Sequence, residues 1–117
     1  MKICIQEQND NISTKHNTII NIPINKQYKI YVDNILNCIL SILDNIQSTY
    51  VYIDINMVIY DNITIILNQI DTILKDKYDK VYIALSKNNK LCTYLENYGY
   101  DCNKSYLYGK LFNKKLK

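Results

Sequence analysis

The chain has 117 residues and a net charge of +3, and its composition is skewed towards a few residue types. A chain of this length buries about two-thirds of its unfolded surface as one domain, which leaves no room for a second. It contains 21 isoleucines and 16 asparagines but no arginine, a usage typical of an AT-rich genome. Without arginine the chain has no planar guanidinium group that could bind phosphate or carboxylate through two hydrogen bonds. The small net charge is also weak support for binding to nucleic acid, which favours a stripe of basic residues.

No stretch has the apolar length of a signal peptide or a membrane span, so a soluble, cytoplasmic protein without membrane insertion is expected. The four cysteines lie apart without CxxC spacing, and His16 is the only histidine. We therefore expect reduced thiols and no metal site. The cysteines are Cys4, Cys38, Cys92 and Cys102.

The N-terminal part begins with an alternating pattern over Lys2–Gln6, which predicts a strand with one buried face. Glu7–Asn17 is polar and predicts a loop, and Thr18–Ile24 predicts a second strand that pairs with the first as a hairpin. Pro23 has no amide to donate, so its position belongs at a strand end or on an edge. Asn25–Tyr31 is compatible with either a strand or the lead-in to a helix.

Asp33 is a suitable N-cap for the next segment. Ile35, Ile39, Ile42 and Ile46 form one stripe there, with three leucines beside it. This spacing predicts an amphipathic helix of about four turns.

The region Tyr50–Tyr100 predicts a β-α-β-α unit. Val51–Ile55 and Val81–Leu85 are apolar runs separated by a helical pattern, so they should lie parallel in one sheet. The intervening helix would begin at its cap Asp61 and bury one stripe of isoleucine and leucine.

A third helix is predicted over Asn89–Tyr98, with Gly99 in the left-handed position that follows a helix. Ser105–Phe112 predicts the last strand. The sequence thus predicts one small α/β domain over residues 1–117, with a mixed sheet of four to five strands covered by about three helices. The predicted order is β-β-α-β-α-β-α-β.

This order, with YIDI at Tyr52–Ile55 and Asp61-Asn62-Ile63-Thr64-Ile65 at the start of a long helix, resembles the STAS domain of anti-sigma factor antagonists. In that family a Ser directly after the loop Asp is phosphorylated, and the added charge disrupts docking. Here Asn62 takes that position, and Thr64 stands where the family has Gly. The resemblance therefore implies a regulatory domain that docks permanently and lacks the phosphorylation switch.

The implied docking surface lies at the start of the second helix and in the loop after the next strand. Its partner would be another protein, such as a kinase-like, ATPase or sigma-regulatory subunit, and a homodimer is also compatible. The resemblance implies no catalytic residue, no cofactor and no metal. The partner-binding residues are Asp61, Asn62, Ile63, Thr64, Ser86 and Asn88.

A second resemblance competes over the C-terminal half. Asn88, Glu96, Gly99 and Tyr100 fit the N-x7-E-x-x-G-[FY] ending of the GNAT acetyltransferases, which implies an unusual acetyltransferase that binds acetyl-CoA. Leu95, however, stands where that family usually has its general acid Tyr. The glycine loop that holds the pyrophosphate at a helix N-terminus is also missing, because the chain has no Gly from Asp61 to Ile66.

Two further features have a functional and a structural interpretation. Asp54 and Asp61 flank the end of the central strand, where two carboxylates could hold Mg²⁺, or they are a surface residue and a helix cap. The twelve tyrosines, with Tyr50 and Tyr52 on one strand face and Tyr94 and Tyr98 on one helix face, suit a protein interface. They equally suit core and boundary positions.

Overall fold

The computed structural model describes residues 1–8, 26–43, 49–107 and 109–116, without the side chain of Asn103. The described residues form seven strands, two α-helices and one 3₁₀ turn. In chain order these are β1 (Ile3–Gln8), β2 (Lys26–Val32), β3 (Ile35–Leu43), β4 (Tyr50–Val58), the 3₁₀ turn (Tyr60–Asn62), α1 (Ile63–Leu74), β5 (Lys80–Ser86), α2 (Leu91–Asn97), β6 (Asp101–Ser105) and β7 (Gly109–Lys115).

All seven strands belong to one sheet with the order β1-β2-β3-β4-β5-β7-β6. The β4–β5 pair is parallel, and every other neighbouring pair is antiparallel. The prediction of a small α/β fold with a mixed sheet is thus confirmed. The predicted numbers are wrong, because the described part of the chain has more strands than four to five and two α-helices where about three were expected.

The segment after Asp33 is a strand, and the prediction of a helix there is wrong. Asp33 and Asn34 have φ values of 50° and 68°, the positive values that a two-residue hairpin turn of type I′ requires. They therefore join β2 to β3, and Asp33 is a turn residue where an N-cap was expected. β3 lies between two strands and is buried on both faces along most of its length. Its sequence is therefore a continuous apolar run, which periodicity alone does not distinguish from a helix with a wide apolar face.

At the N-terminus, β1 pairs antiparallel with β2, with Ile3 opposite Val32 and Gln8 opposite Gln27. The expected hairpin partner of β1, Thr18–Ile24, lies outside the described residues. The alternatives left open for Asn25–Tyr31 resolve in favour of a strand, because Lys26–Val32 is β2.

The predicted β-α-β-α unit is present, with Val51 opposite Val81 and Ile53 opposite Ile83 in the parallel pair. Gly99 follows α2 with φ +101°, as expected. Two details differ. Asp61 lies within the 3₁₀ turn, and no side chain caps α1. The predicted last strand Ser105–Phe112 spans the connection between β6 and β7.

The two helices cover one face of the sheet, here called the helix face. Alternate residues of the strands point to it, such as Ile53 of β4, Ile83 of β5 and Phe112 of β7, and these pack in one core with Ile66 of α1 and Leu95 of α2. The residues between them point to the opposite side, here called the second face. No helix in the described ranges is long and apolar enough to cross a membrane.

Candidate functional site

The central parallel strands pair over only part of their length. Pairing runs from Tyr50 opposite Lys80 to Ile53 opposite Ile83, although β4 continues to Val58 and β5 to Ser86. Beyond Ile53, β4 pairs with β3 alone, and beyond Ile83, β5 pairs with β7 alone. The sheet therefore opens between the carboxyl ends of β4 and β5, which is where open α/β sheets bind ligands.

A β-bulge lies on the β4 side of this opening. Ile39 is opposite Met57 and Leu40 is opposite Ile55, so Asn56 has no Cα partner in β3. A bulge bends and twists its strand, which turns the end of β4 away from the straight course that would continue its pairing with β5.

Polar side chains form a hydrogen-bonded row across the second face and end at the opening. Gln27 donates to the Ser41 hydroxyl at 3.4 Å, and that hydroxyl donates to Asn56 Oδ1 at 2.6 Å. Asn56 Nδ2 then donates to Asp54 Oδ2 at 3.3 Å. Asp54 directly follows Ile53, the last residue of β4 that pairs with β5. The row therefore orients a carboxylate at the point where the strands separate.

The connection from β4 to α1 is fixed by a buried asparagine of β3. The Ile59 amide donates to the Asn37 backbone oxygen at 2.8 Å, and Asn62 Nδ2 donates to Asn37 Oδ1 at 2.9 Å. Asn37 is 2% exposed, and its own Nδ2 donates to the Ile35 carbonyl at 2.9 Å. Both polar ends of this buried amide are thus satisfied, which holds the start of α1 in place.

On the helix face, two aromatic rings bridge the opening between the start of α1 and the start of α2. Tyr60 stacks on Tyr94 with ring centroids 4.9 Å apart. Lys90 Nζ lies 4.8 Å from the Tyr60 centroid, within the range of a cation–π contact. Burial, then Tyr94 and Cys92, raises the pKa of Tyr60, so its phenol is neutral at ordinary pH.

A groove of about 230 Å³ continues from Tyr94 between the two helices. It is open to solvent and runs along the first turns of α1. Its lining residues are Ile63, Thr64, Leu67, Tyr94, Asn97 and Tyr98.

Further along the helices, a cluster of polar groups surrounds Tyr98, which also lines the groove. The Tyr98 hydroxyl lies within hydrogen-bonding distance of two acceptors, Asn68 Oδ1 and Asp71 Oδ2. Asp71 Oδ2 also accepts a hydrogen bond from the ammonium of Lys114 in β7. Burial and the Asp71 charge raise the pKa of Tyr98 to about 12. The cluster ties α1, α2 and β7 together.

The predicted docking residues lie at one end of the sheet, but they do not form one exposed patch. Asp61, Thr64, Ser86 and Asn88 are exposed. Ile63 is only 8% exposed and belongs to the core, and the Asn62 amide is engaged by Asn37. The expected docking contact placed an exposed Ile63 between the hydrogen-bonding groups of Asn62 and Thr64. In the structure Ile63 is not exposed and the Asn62 amide is engaged within the chain.

The expected alternatives also have definite positions. Within the described ranges no group of three or more histidine, cysteine or acidic side chains could hold a metal ion, so Asp54 and Asp61 gain no support as a Mg²⁺ site. Leu95 is fully buried. The tyrosine one position earlier, Tyr94, faces Tyr60 and the groove.

Sequence reasoning missed Asn37, Tyr60 and Lys90 as parts of the site. Asn37 fell within a segment that was expected to be helical, and Lys90 meets Tyr60 only through the tertiary fold. The one local signal was the alternation of Tyr50 and Tyr52, which correctly placed both rings on one strand face, 5.9 Å apart.

No protein-family model and no curated protein matches the sequence, but solved structures match the fold. A GNAT family acetyltransferase from Elizabethkingia anophelis with acetyl-CoA bound has a TM-score of 0.64 at 14% identity, covering 97% of both chains. The Campylobacter jejuni N-acetyltransferase PseH gives 0.64 at 14% identity over 79% of this chain and 68% of its own. PaiA N-acetyltransferase from Thermoplasma acidophilum in complex with coenzyme A gives 0.63 at 11% identity over 76% of this chain.

The chain spans 59% of the length of the T. acidophilum protein and 66% of that of a GNAT acetyltransferase from Streptococcus pneumoniae. These neighbours overturn the hypothesis of a STAS-like, non-catalytic regulatory domain, since they are GNAT acetyltransferases. The protein therefore has the fold of the GNAT acetyltransferases.

Proposed function

We propose that this protein is a GNAT-type acyltransferase that takes an acyl group from acetyl-CoA in the opening between β4 and β5 and passes it to an amine. The observation that carries this proposal is the separation of the two strands after Ile53 and Ile83. A strand that loses its neighbour leaves backbone N–H and C=O groups directed into the gap. An extended arm with amide groups, such as pantetheine, can pair with them as a strand would.

The residues beside the opening fit the rest of such a donor. The groove between α1 and α2 gives a path to solvent, and the exposed Lys90 brings a cation to its edge. The first backbone amides of a helix have no hydrogen-bond partner within the helix. Those of α1 begin at Ile63, beside the groove, where a donor's phosphate could accept from them. Thr64, in the first turn of α1, is exposed, so its side chain lies outside the packed core.

The chain differs from the family pattern by having no glycine in this loop and an exposed aspartate, Asp61, beside it. A carboxylate at this position repels phosphate, but an exposed charge is screened by salt and water. Phosphate binding should therefore depend on the ammonium of Lys90 more than on the loop. Since Tyr60 bridges the two helices, its ring must shift from Tyr94 when a donor enters.

The acceptor amine must lose a proton before its nitrogen can act as a nucleophile. Asp54 lies on the second face at the point of strand separation, and Asn56 and Ser41 orient its carboxylate. It is the group we assign as proton acceptor. When bound, the donor supplies a thioester carbonyl and a thiolate leaving group. Because Leu95 is apolar and buried, no acid acts from that position.

The test is calorimetric titration of the full chain with acetyl-CoA, followed by an assay of thiol release with a panel of amines. Saturable binding with a Kd below about 1 mM is expected. Lys90→Gln should weaken binding about fivefold, the scale of one exposed charge contact. Lys87→Gln, an exposed lysine of the same loop, should leave it unchanged. Absence of any saturable binding at that concentration would overturn the proposal.

A further inference from the structure

The second face carries a cluster of three tyrosine rings directly before the opening. Tyr52 and Tyr82 stack with centroids 5.1 Å apart, and Tyr50 meets both edge-on at 5.9 and 5.5 Å. All three side chains are half-buried. Tyr52 and Tyr82 are opposite each other in the register, one residue before the last β4–β5 pair. We call these three rings the tyrosine platform.

Resting on the proposed function, we infer that the tyrosine platform and Asp54 select the acceptor: an amine with a single positive charge and a flat aromatic body. The amine would approach Asp54 while the body lies on the rings. Alternate residues of a strand share a face and lie about 7 Å apart, so the distance from Asp54 to Tyr52 suits a short link between amine and ring.

The platform offers the right surface for an aromatic body. Partly exposed aromatic rings favour offset-stacked or edge-to-face partners, each adding about 0.5–1.5 kcal/mol beyond burial. Nearby, Tyr106 is close enough to Tyr52 to contribute to the rise in the pKa of its phenol, although burial is the largest cause. The Tyr52 phenol therefore stays neutral and presents no anion to a ligand.

The charges around the platform exclude two other kinds of acceptor. Lys80 Nζ lies 5.3 Å from the Tyr82 centroid, so the cation–π position of that ring is taken and a second ammonium on the ligand would meet a like charge. A carboxylate beside the amine of the acceptor would be repelled by Asp54, and Lys80, opposite Tyr50, lies at the end of the platform away from Asp54. The acceptor that remains has one positive charge, placed at Asp54, and a neutral ring, placed on the platform.

The inference is tested by titrating the full chain with three simple amines at pH 7 and measuring each Kd from the changes in ¹H–¹⁵N chemical shifts. The probes are 2-phenylethylamine, n-butylamine, which lacks the ring, and 1,4-diaminobutane, which has a second charge. The Kd of 2-phenylethylamine should be about fivefold lower than that of n-butylamine, the scale of one aromatic contact. The Kd of 1,4-diaminobutane should be the highest.

Variants separate the two causes. Tyr82→Leu should abolish the preference for the aromatic amine, whereas Tyr82→Phe keeps the ring and the preference. Lys80→Met should lower the Kd of 1,4-diaminobutane towards that of n-butylamine. Tyr31→Leu, on β2 away from the platform, serves as the control. Equal affinities for 2-phenylethylamine and n-butylamine, or tightest binding of the diamine, would overturn the inference.

Failure of this inference differs from failure of the proposed function. If acetyl-CoA binds and is consumed but 2-phenylethylamine is no better than n-butylamine as ligand or acceptor, only the choice of acceptor is wrong. If 2-phenylethylamine binds and shifts the amides of the platform while acetyl-CoA does not bind, the amine site stands and the acyl transfer is wrong.

Discussion

The side-chain amide of Asn62 donates to the side-chain oxygen of Asn37 at 2.9 Å, and this contact joins the start of α1 to strand β3. Asn37 is almost completely buried, so its oxygen has no ready substitute partner. The residue that stands at the phosphorylation position of a STAS domain is thus a structural residue here. Its amide sets the position of the loop that borders the opening in the sheet.

Asn62→Ala should lower the free energy of unfolding by about 1–3 kcal/mol, because it leaves the buried Asn37 oxygen without a donor. Urea denaturation followed by circular dichroism measures the change. Asn88→Ala removes an exposed asparagine in the next loop and should stay within about 0.5 kcal/mol of the parent. Equal stabilities of the two variants would show that the Asn37 contact has no energetic value.

The stability of the fold should fall between about pH 10 and pH 12. Burial and Asp71 raise the pKa of Tyr98 from the ordinary 10.0 to about 12, so the folded state favours the neutral phenol. A raised pKa contributes stability that is present below pH 10 and is lost as the pH rises through the folded value. Thermal unfolding at several alkaline pH values measures this loss, and Tyr98→Phe should show a smaller dependence. An identical pH dependence in that variant would refute the assignment.

The four thiols should divide into two reactive and two protected groups. Cys4 and Cys102 are exposed, whereas Cys38 and Cys92 are buried. Burial raises the pKa of Cys38 to about 12, and the thiolate is the reactive form. At pH 8 a disulfide reagent such as dithiobis-nitrobenzoate should label two thiols quickly and the other two only after denaturation. Rapid reaction of all four in the native protein would contradict the burial of β3 and α2.

The central unit could be predicted from the sequence because its signals are local. The stripe of α1, the glycine after α2 and the two short apolar runs each identify an element without knowledge of the rest of the chain. The hairpin at Asp33 and Asn34 was missed for a physical reason. A strand buried on both faces has no alternation, and an aspartate before an apolar run suits both a helix cap and a type I′ turn.

The sequence pattern also led to the wrong choice between the STAS and GNAT families, because it reports only local structure. A β-α-β-α unit with parallel strands is common to STAS and GNAT domains, and its sequence pattern does not reveal how far the two strands pair. Their separation after Ile53 depends on the bulge at Asn56 and on which strands flank the pair. Both are relations between distant segments. The contact of Lys90 with Tyr60 is of the same kind, so no local pattern could have indicated it.

Gly99→Ala should destabilise the protein through the backbone alone. The glycine has φ +101°, and a Cβ atom there would meet no atom within 4 Å. The cost therefore comes from a conformation that residues with a Cβ rarely adopt, about 1–2 kcal/mol. Asn97→Ala, an exposed change in the preceding helix, is the matched control and should be nearly neutral. A loss of stability no greater than in that control would argue against strain at residue 99.

Leu95→Tyr should lower stability without adding a catalytic acid. The GNAT resemblance suggests that this substitution restores the family's usual tyrosine, but Leu95 is fully buried in the core with Ile53 and Phe112. A larger side chain with a hydroxyl has no space there, and overpacking costs about 1–3 kcal/mol. Denaturant unfolding measures this loss. Leu95→Met, close in volume, should cost less than about 1.5 kcal/mol. A stable Leu95→Tyr variant with faster thiol release would mean that residue 95 can reach the opening and that the acid site is intact but unused.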